Sequence, residues 1–189
     1  MAFNKESQGF TFLFSIIMVV VVVATVLAVA ALGLKGPQEE NMKQEKMQNV
    51  LGSIQVESSR EEASAKFGEF IKKRVILDSE GNVLSETEGD VKTLSVDGKE
   101  AYESDAFNID IKKQYRDKSL TDQQKRFPLF ICEKDGNPYY VVPLVGTGLW
   151  GPIWGFIALE ADMNTIFGAT FDHKTETPGL GAEINQSWF

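Results

Sequence analysis

Leu129-Phe130-Ile131-Cys132-Glu133, then Asp135-Gly136-Asn137-Pro138, then Tyr139-Tyr140-Val141-Val142-Pro143-Leu144 is the stretch on which the fold turns. Two apolar runs rich in aromatic and β-branched residues flank a short polar turn. Gly136 tolerates the positive φ that a tight reversal demands, so the stretch predicts a β-hairpin. The same pattern recurs on both sides. Val75-Ile76-Leu77 and Val83-Leu84 flank residues 78–82, where Gly81-Asn82 can bend the chain, and residues 154–159 and 166–171 flank a turn at 162–164. Upstream, Ala63, Phe67, Phe70 and Ile71 recur at helical spacing, which predicts a helix over 61–76 with one buried stripe. Lys72, Lys73 and Arg74 near its end suit the helix dipole and read as a solvated basic end. Residues 102–125 are polar and ambiguous, with Thr121 a candidate N-cap before Asp122-Gln123-Gln124. A helix followed by successive hairpins defines an α+β domain built on antiparallel strands.

The N-terminal third is of another kind. Residues 7–34 carry no charge beyond Glu6, and residues 12–34 are dominated by Val, Ala, Leu, Ile and Phe. At about 1.5 Å rise per residue this run crosses a hydrocarbon core of about 30 Å with some tilt. The five valines from Val19 to Val23 would suit a strand in water, but in lipid only a helix satisfies its own backbone. A cleaved signal peptide is the competing reading, with Ala28-Val29-Ala30 as a tolerable cleavage site. The run is longer than the roughly 7–15 apolar residues such a peptide needs. Residues 1–11 are thus a tail, 12–34 a single transmembrane helix that Gly36-Pro37 stops, 35–60 a solvated stalk, and 61–189 the domain. Charge does not fix the orientation: Lys5 and Glu6 precede the span, and Lys35, Lys43 and Lys46 follow it.

The formal net charge is −8. Nucleic acid is therefore a poor partner, because its phosphates call for clustered Lys and Arg. Cys132 is the one cysteine, so an intramolecular disulfide, a zinc site and an iron–sulfur site all lack their ligands. It sits in an alternating apolar run and reads as a buried small residue. His173 is also the one histidine, and reads as a hydrogen-bonded structural residue; Ser-His-Asp triads have little material here.

Two stretches rise above a generic domain: Gly146-Thr147-Gly148-Leu149-Trp150-Gly151-Pro152-Ile153-Trp154-Gly155 and Glu176-Thr177-Pro178-Gly179-Leu180-Gly181-Ala182-Glu183. Each is a Gly-rich loop in which missing Cβ atoms let something approach the backbone closely. On the residues alone that something is more readily another strand than a ligand. Trp150 or Trp154 can stack on a planar ring or fill core volume. Gly146-Thr147-Gly148 is only part of a dinucleotide fingerprint, so NADH binding is not expected.

The second stretch, with Asp172-His173-Lys174-Thr175 ahead of it, resembles the Glu-Thr-Pro-Gly-Leu-Gly signature of the FMN-binding domain family. That family includes the NqrC subunit of the Na+-translocating NADH:quinone reductase and the equivalent subunit of the Rnf complex. The N-terminal span and the Gly-Leu-Trp loop favour the quinone reductase. The resemblance implies a single-pass subunit of the bacterial inner membrane with its domain on the periplasmic side. It also implies one-electron transfer through FMN, partnership with the other subunits of the complex, and loading by a flavin transferase. It would put Glu176, Thr177, Pro178, Gly179 and Leu180 around the isoalloxazine, with Trp150 a weaker wall. Backbone amides of the Gly-rich turn would bond the ring's acceptors and tune its potential. Glu176 reads equally well as a loop cap. The alternatives are the equivalent Rnf subunit, or a membrane-anchored protein that keeps the fold for interaction only.

The sequence departs from this pattern in one respect. The resemblance implies FMN joined through its phosphate to a threonine, in an Asp-x-x-Ser/Thr-Gly-Ala-Thr motif C-terminal to the signature. Here Trp188-Phe189 follows the signature within a few residues. The expectation is a C-terminally truncated form of a longer protein, with the attachment threonine beyond Phe189 and with Trp188 and Phe189 left uncovered. Phe167-Gly168-Ala169-Thr170 is a decoy, with Phe where Ser or Thr belongs and Asn164 where Asp belongs. Its alternation suits a strand, and Thr170 is the less favoured attachment site. No ionisable residue lies in the span to mark a sodium path.

Overall fold

At the turn of the central hairpin, Asp135 and Gly136 both take positive φ, 54° and 76°. That pair of left-handed residues matches the right-handed twist of the flanking strands. The computed structural model of the chain describes residues 8–91, 104–186 and 189. Residues 1–7 of the tail, Tyr102 and Trp188, all named above, lie outside them. The chain divides into two units, Met1–Lys43 and Gln44–Phe189.

In the first unit, residues 9–34 belong to α1 (Gln8–Ser53), a helix long and apolar enough to cross a membrane. Its valines and leucines are exposed, as lipid-facing residues would be in the absence of lipid. Gly36-Pro37 does not stop it: Pro37 lies inside the helix. Proline removes one N–H and crowds the carbonyl four residues back. The strong helix formers on both sides, Ala and Leu before, Glu, Gln, Met and Lys after, carry the helix past that defect.

The second unit is one six-stranded sheet in the order β2-β1-β3-β4-β5-β6, every neighbouring pair antiparallel. The strands are β1 (Ile71–Leu77), β2 (Val83–Thr87), β3 (Phe127–Lys134), β4 (Asn137–Thr147), β5 (Pro152–Leu159) and β6 (Ile166–His173). All three expected hairpins form. In the first, Asp78 Oδ1 accepts from the Glu80 and Asn82 amides, and in the third, Asp162 Oδ1 accepts from the Asn164 and Thr165 amides. Thr121 precedes a 3-10 turn over Asp122–Gln124, and its amide donates to Gln124 Oε1. The α+β reading therefore stands, an apolar helix followed by an antiparallel sheet.

Two expectations change. The helix predicted over 61–76 is α2 (Ala63–Phe70) alone, and Ile71 onward is strand β1. Val75-Ile76 is β-branched, and pairing β1 with both β2 and β3 outweighs a helical period that a few apolar positions suggest. Arg74 is consequently no solvated cation. It is 1% exposed, its Nε and Nη2 donate to the Asp105 carboxylate, and its Nη1 donates to Gly89 O.

The second change concerns the stalk. Met47, Val50, Leu51 and Ile54 are buried, so the end of α1 belongs to the core and not to a solvated spacer. They sit with Phe67, Phe130 and Phe156, whose rings meet edge to face at centroid distances of 6.2 Å. On β6, Gly168 lets Ser53 O come within 2.5 Å of where a Cβ would stand. Thr170 Oγ1 donates to Asn49 O at 2.8 Å, and Gln55 Nε2 to Phe167 O at 3.0 Å. Cys132 is buried on β3, and burial pushes its thiol up to about 12. Phe189 is exposed, with its ring edge-on to Phe171 at 6.3 Å.

Candidate functional site

The sheet brings together two Gly-rich loops that are well separated in sequence. β4 and β5 pair down to Thr147↔Pro152, leaving Gly148-Leu149-Trp150-Gly151 as the connection, closed by the Gly148 amide donating to Gly151 O at 2.7 Å. β5 pairs with β6 as far as Ile153↔His173, and the Lys174 amide still reaches Pro152 O at 3.1 Å. The chain after β6 therefore leaves the sheet directly beside the first loop.

Side chains then join the loops. Glu176 Oε1 accepts from the Trp150 amide at 2.9 Å, and Thr175 Oγ1 donates to Trp150 O at 2.6 Å. Both backbone polar groups of Trp150 are thus held by two consecutive residues of the other loop. The Glu176 amide in turn donates to His173 Nδ1 at 3.3 Å, the structural role expected of the lone histidine. The glycines fit this arrangement. A Cβ on Gly148 would collide with Glu176 Oε1 and stand 2.9 Å from Gly151 O, and one on Gly181 would stand 2.9 Å from Glu176 Oε2.

The signature turn satisfies itself. Thr177 O accepts from the amides of Leu180 and Ala182, both at 3.1 Å, and Glu183 Oε1 accepts from the Gly179 amide at 2.8 Å. The expectation that amides of this turn face outward as donors to a ring is therefore not met at Gly179, Leu180 or Ala182. What the site presents is surface. Leu149, Trp150 and Leu180 are 84%, 66% and 74% exposed, and Gly179, at φ +75°, has open space where a side chain would be. Pro178 removes one further donor from the same turn.

Trp150 and Trp154, equivalent in the sequence, are distinguished here. Trp154 lies on β5, half-buried, with Lys112 Nζ 3.8 Å above its ring. That lysine belongs to α3 (Ile111–Arg116), which Asp110 caps by accepting the Lys112 amide. Tyr115 on the same helix bonds the Thr147 hydroxyl at 3.0 Å, bracing the base of the first loop. Of these two, Trp150 offers the open ring face. Thr170 stands apart from these residues, in the middle of β6 opposite Phe156.

Other contributors carry little or no signal in the sequence. Thr175 stands at the exit of a strand, where a hydroxyl residue is a recognisable loop-bonding position. Glu183 follows Gly179 by four residues, and from there its side chain covers the Gly179 amide. Tyr115 and Lys112 leave no signal, because nothing local says that residues 111–116 pack on the β4–β5 end.

An exposed indole, two exposed leucines and an open glycine backbone suit a flat aromatic ligand, which gains by burying apolar area and by stacking. A flavin ring fits that description. The FMN-binding domain family matches residues 148–188, which begin at the first loop and include the whole of the second. That match defines the class: an FMN-binding domain behind an apolar N-terminal helix.

Whole-chain similarity is more specific. The NqrC subunit of the Na+-translocating NADH-quinone reductase from Vibrio anguillarum is 31% identical over 193 residues, covering 100% of this chain and 72% of its own length. The same subunit from Neisseria meningitidis serogroup B is 30% identical over 189 residues, with 98% and 71% coverage. The crystal structure of the Parabacteroides distasonis subunit superposes with a TM-score of 0.64 at 38% identity, over 82% of this chain and 66% of that one. Shewanella oneidensis NqrC gives a TM-score of 0.51 at 26% identity, over 77% and 66%. The chain belongs to the NqrC family of Na+-translocating NADH-quinone reductase subunits, and it spans about two thirds of the length of the solved relatives.

Proposed function

We propose that this chain is the electron-transfer flavoprotein subunit of a Na+-translocating NADH:quinone reductase, catalytically active only within that complex. The observation that carries the reading is the joining of the Gly148–Gly151 connection to the Glu-Thr-Pro-Gly-Leu-Gly turn beside an open tryptophan face. FMN bound there supplies the one-electron chemistry. The protein's part is to stack Trp150 and Leu180 against the ring, keep the Gly179 backbone open to close approach, and exclude water with Leu149. Thr177 and Pro178 shape the turn. Near the reacting ring, a surface of low polarity and the Glu176 and Glu183 carboxylates set the local field, and hence the potential.

The membrane helix anchors the chain among the other subunits in the bacterial inner membrane, with the domain on the periplasmic side and with FMN installed by a flavin transferase. The family resemblance supports this placement, since the charges flanking the span are too evenly divided to do so. The same resemblance supports a threonyl phosphoester as the attachment. Thr170 is a poor candidate for it, since its hydroxyl donates to Asn49 O and its Cγ2 lies against Gly52.

Membrane vesicles from cells lacking this chain test the reading. NADH-driven quinone reduction should fall to background, return with the wild-type chain, and not return with Gly179→Val. Undiminished reduction without the chain would sink the electron-transfer role and leave an interaction role. In a denaturing gel, flavin fluorescence on the co-expressed chain should survive Thr170→Ala; its loss would place the attachment at Thr170.

A further inference from the structure

Thr175 and Glu176 close on a single residue from two sides. Thr175 donates to the Trp150 carbonyl, and Glu176 accepts from the Trp150 amide. Two bonds to one residue fix its orientation as well as its position, which one bond does not. Glu176 is itself held, through its amide, by His173 Nδ1 at the last paired position of β6. The chain of restraint therefore runs from the sheet through His173 to Glu176 and on to Trp150.

The glycines give this carboxylate a second signature. The atoms nearest the would-be Cβ of Gly181 all belong to Glu176: Oε2 at 2.9 Å, Cβ at 3.3 Å and Cγ at 3.5 Å. Gly148 is confined by Glu176 Oε1 together with Gly151 O and Ile153 Cγ2. Two glycines, one in each loop, thus leave space that the Glu176 side chain fills. A residue whose role was to touch a ligand would have no need of that enclosure.

We propose that Thr175 and Glu176 form a two-point latch on the Trp150 backbone, which makes Glu176 a positioning residue of the flavin site and not one of its flavin contacts. The proposal rests on the flavin reading of these loops, and specifies which residues hold the stacking wall in place. Its physical content is preorganisation. A flexible loop carrying an exposed tryptophan loses conformational freedom when a ring stacks on it, and a latch made beforehand removes that cost from binding.

The test uses the full chain in detergent micelles, labelled with 15N-tryptophan. The three tryptophans give three backbone amide signals, and Trp150→Phe assigns the relevant one. Glu176→Ala should move the Trp150 amide signal upfield and weaken FMN binding, followed by flavin fluorescence, about tenfold or more, the scale of one charge-assisted hydrogen bond. Glu176→Gln keeps an acceptor oxygen and should restore both readouts nearly to wild type. Gly181→Ala should weaken binding in the wild-type background and add little in Glu176→Ala, since the atom it meets most closely is then gone.

An unmoved Trp150 amide in Glu176→Ala would overturn the latch. So would a Gln variant that binds FMN as poorly as Ala while its amide signal stays at the wild-type position, because Glu176 would then act on the flavin through its charge. If wild type binds no FMN, the flavin reading fails, and the amide signal still decides whether the latch exists.

Discussion

Arg74 and Asp105 form a buried, two-pronged ion pair: Nε lies 2.9 and 3.1 Å from the two carboxylate oxygens, and Nη2 lies 2.9 Å from Oδ2. Asp105 also accepts the Phe107 amide, and Arg74 reaches Gly89 O and Asp90 O. The pair therefore ties β1 to the segments on both sides of residues 92–103. Removing one partner strands the other charge in the interior. Asp105→Ala should destabilise the second unit by about 3–5 kcal/mol, read as a lower urea midpoint by tryptophan fluorescence. Arg74→Met with Asp105→Leu should recover most of that loss, because both charges leave together.

Lys46 gives the fold a pH dependence of calculable sign. Its Nζ donates to Phe107 O and Ile109 O, and burial lowers its pKa from 10.5 to about 8, against the opposing pull of Asp110 and with the push of Lys112. Between about pH 8 and 10.5 the unfolded chain holds this proton and the folded chain does not. Stability contributed by this group should therefore rise with pH across that window. Urea midpoints at about pH 7.5 and about pH 9.5 should show the rise, and Lys46→Met should flatten it. A slope unchanged by that substitution would assign the effect elsewhere.

Cys132 should be inert. It is buried among Phe130, Tyr139 and Val141, and burial pushes its thiol up to about 12, so little thiolate exists at neutral pH. A disulfide reagent should leave the native chain unmodified for hours and titrate one thiol in denaturant. Rapid native labelling would contradict the packing of β3.

How far the fold is legible in the sequence differs from residue to residue. The three hairpins are legible because Asp-Gly and Asp-x-Asn turns report their geometry locally. Ile71 to Leu77 looks helical in sequence because its partners on β3 lie far along the chain, and tertiary pairing decides a segment whose local period is ambiguous. The solvated look of the stalk hides buried positions, since Met47, Val50, Leu51 and Ile54 are too sparse to announce a core stripe until the sheet supplies its other half. In the site, the signature points to the right loop. That its amides are turned inward, and that Trp150 and not Trp154 is the open ring, are beyond the sequence, because both facts depend on which side chains cross between elements.

Titration of FMN onto the full chain in detergent micelles, followed by quenching of flavin and tryptophan fluorescence, tests most directly whether the two joined loops are a flavin site. The account predicts saturable binding at one FMN per chain, weakened about tenfold or more in Trp150→Ala and in Gly179→Val while the far-ultraviolet circular dichroism is unchanged. Binding that is equally tight in both variants, or absent from the wild-type chain, would contradict it.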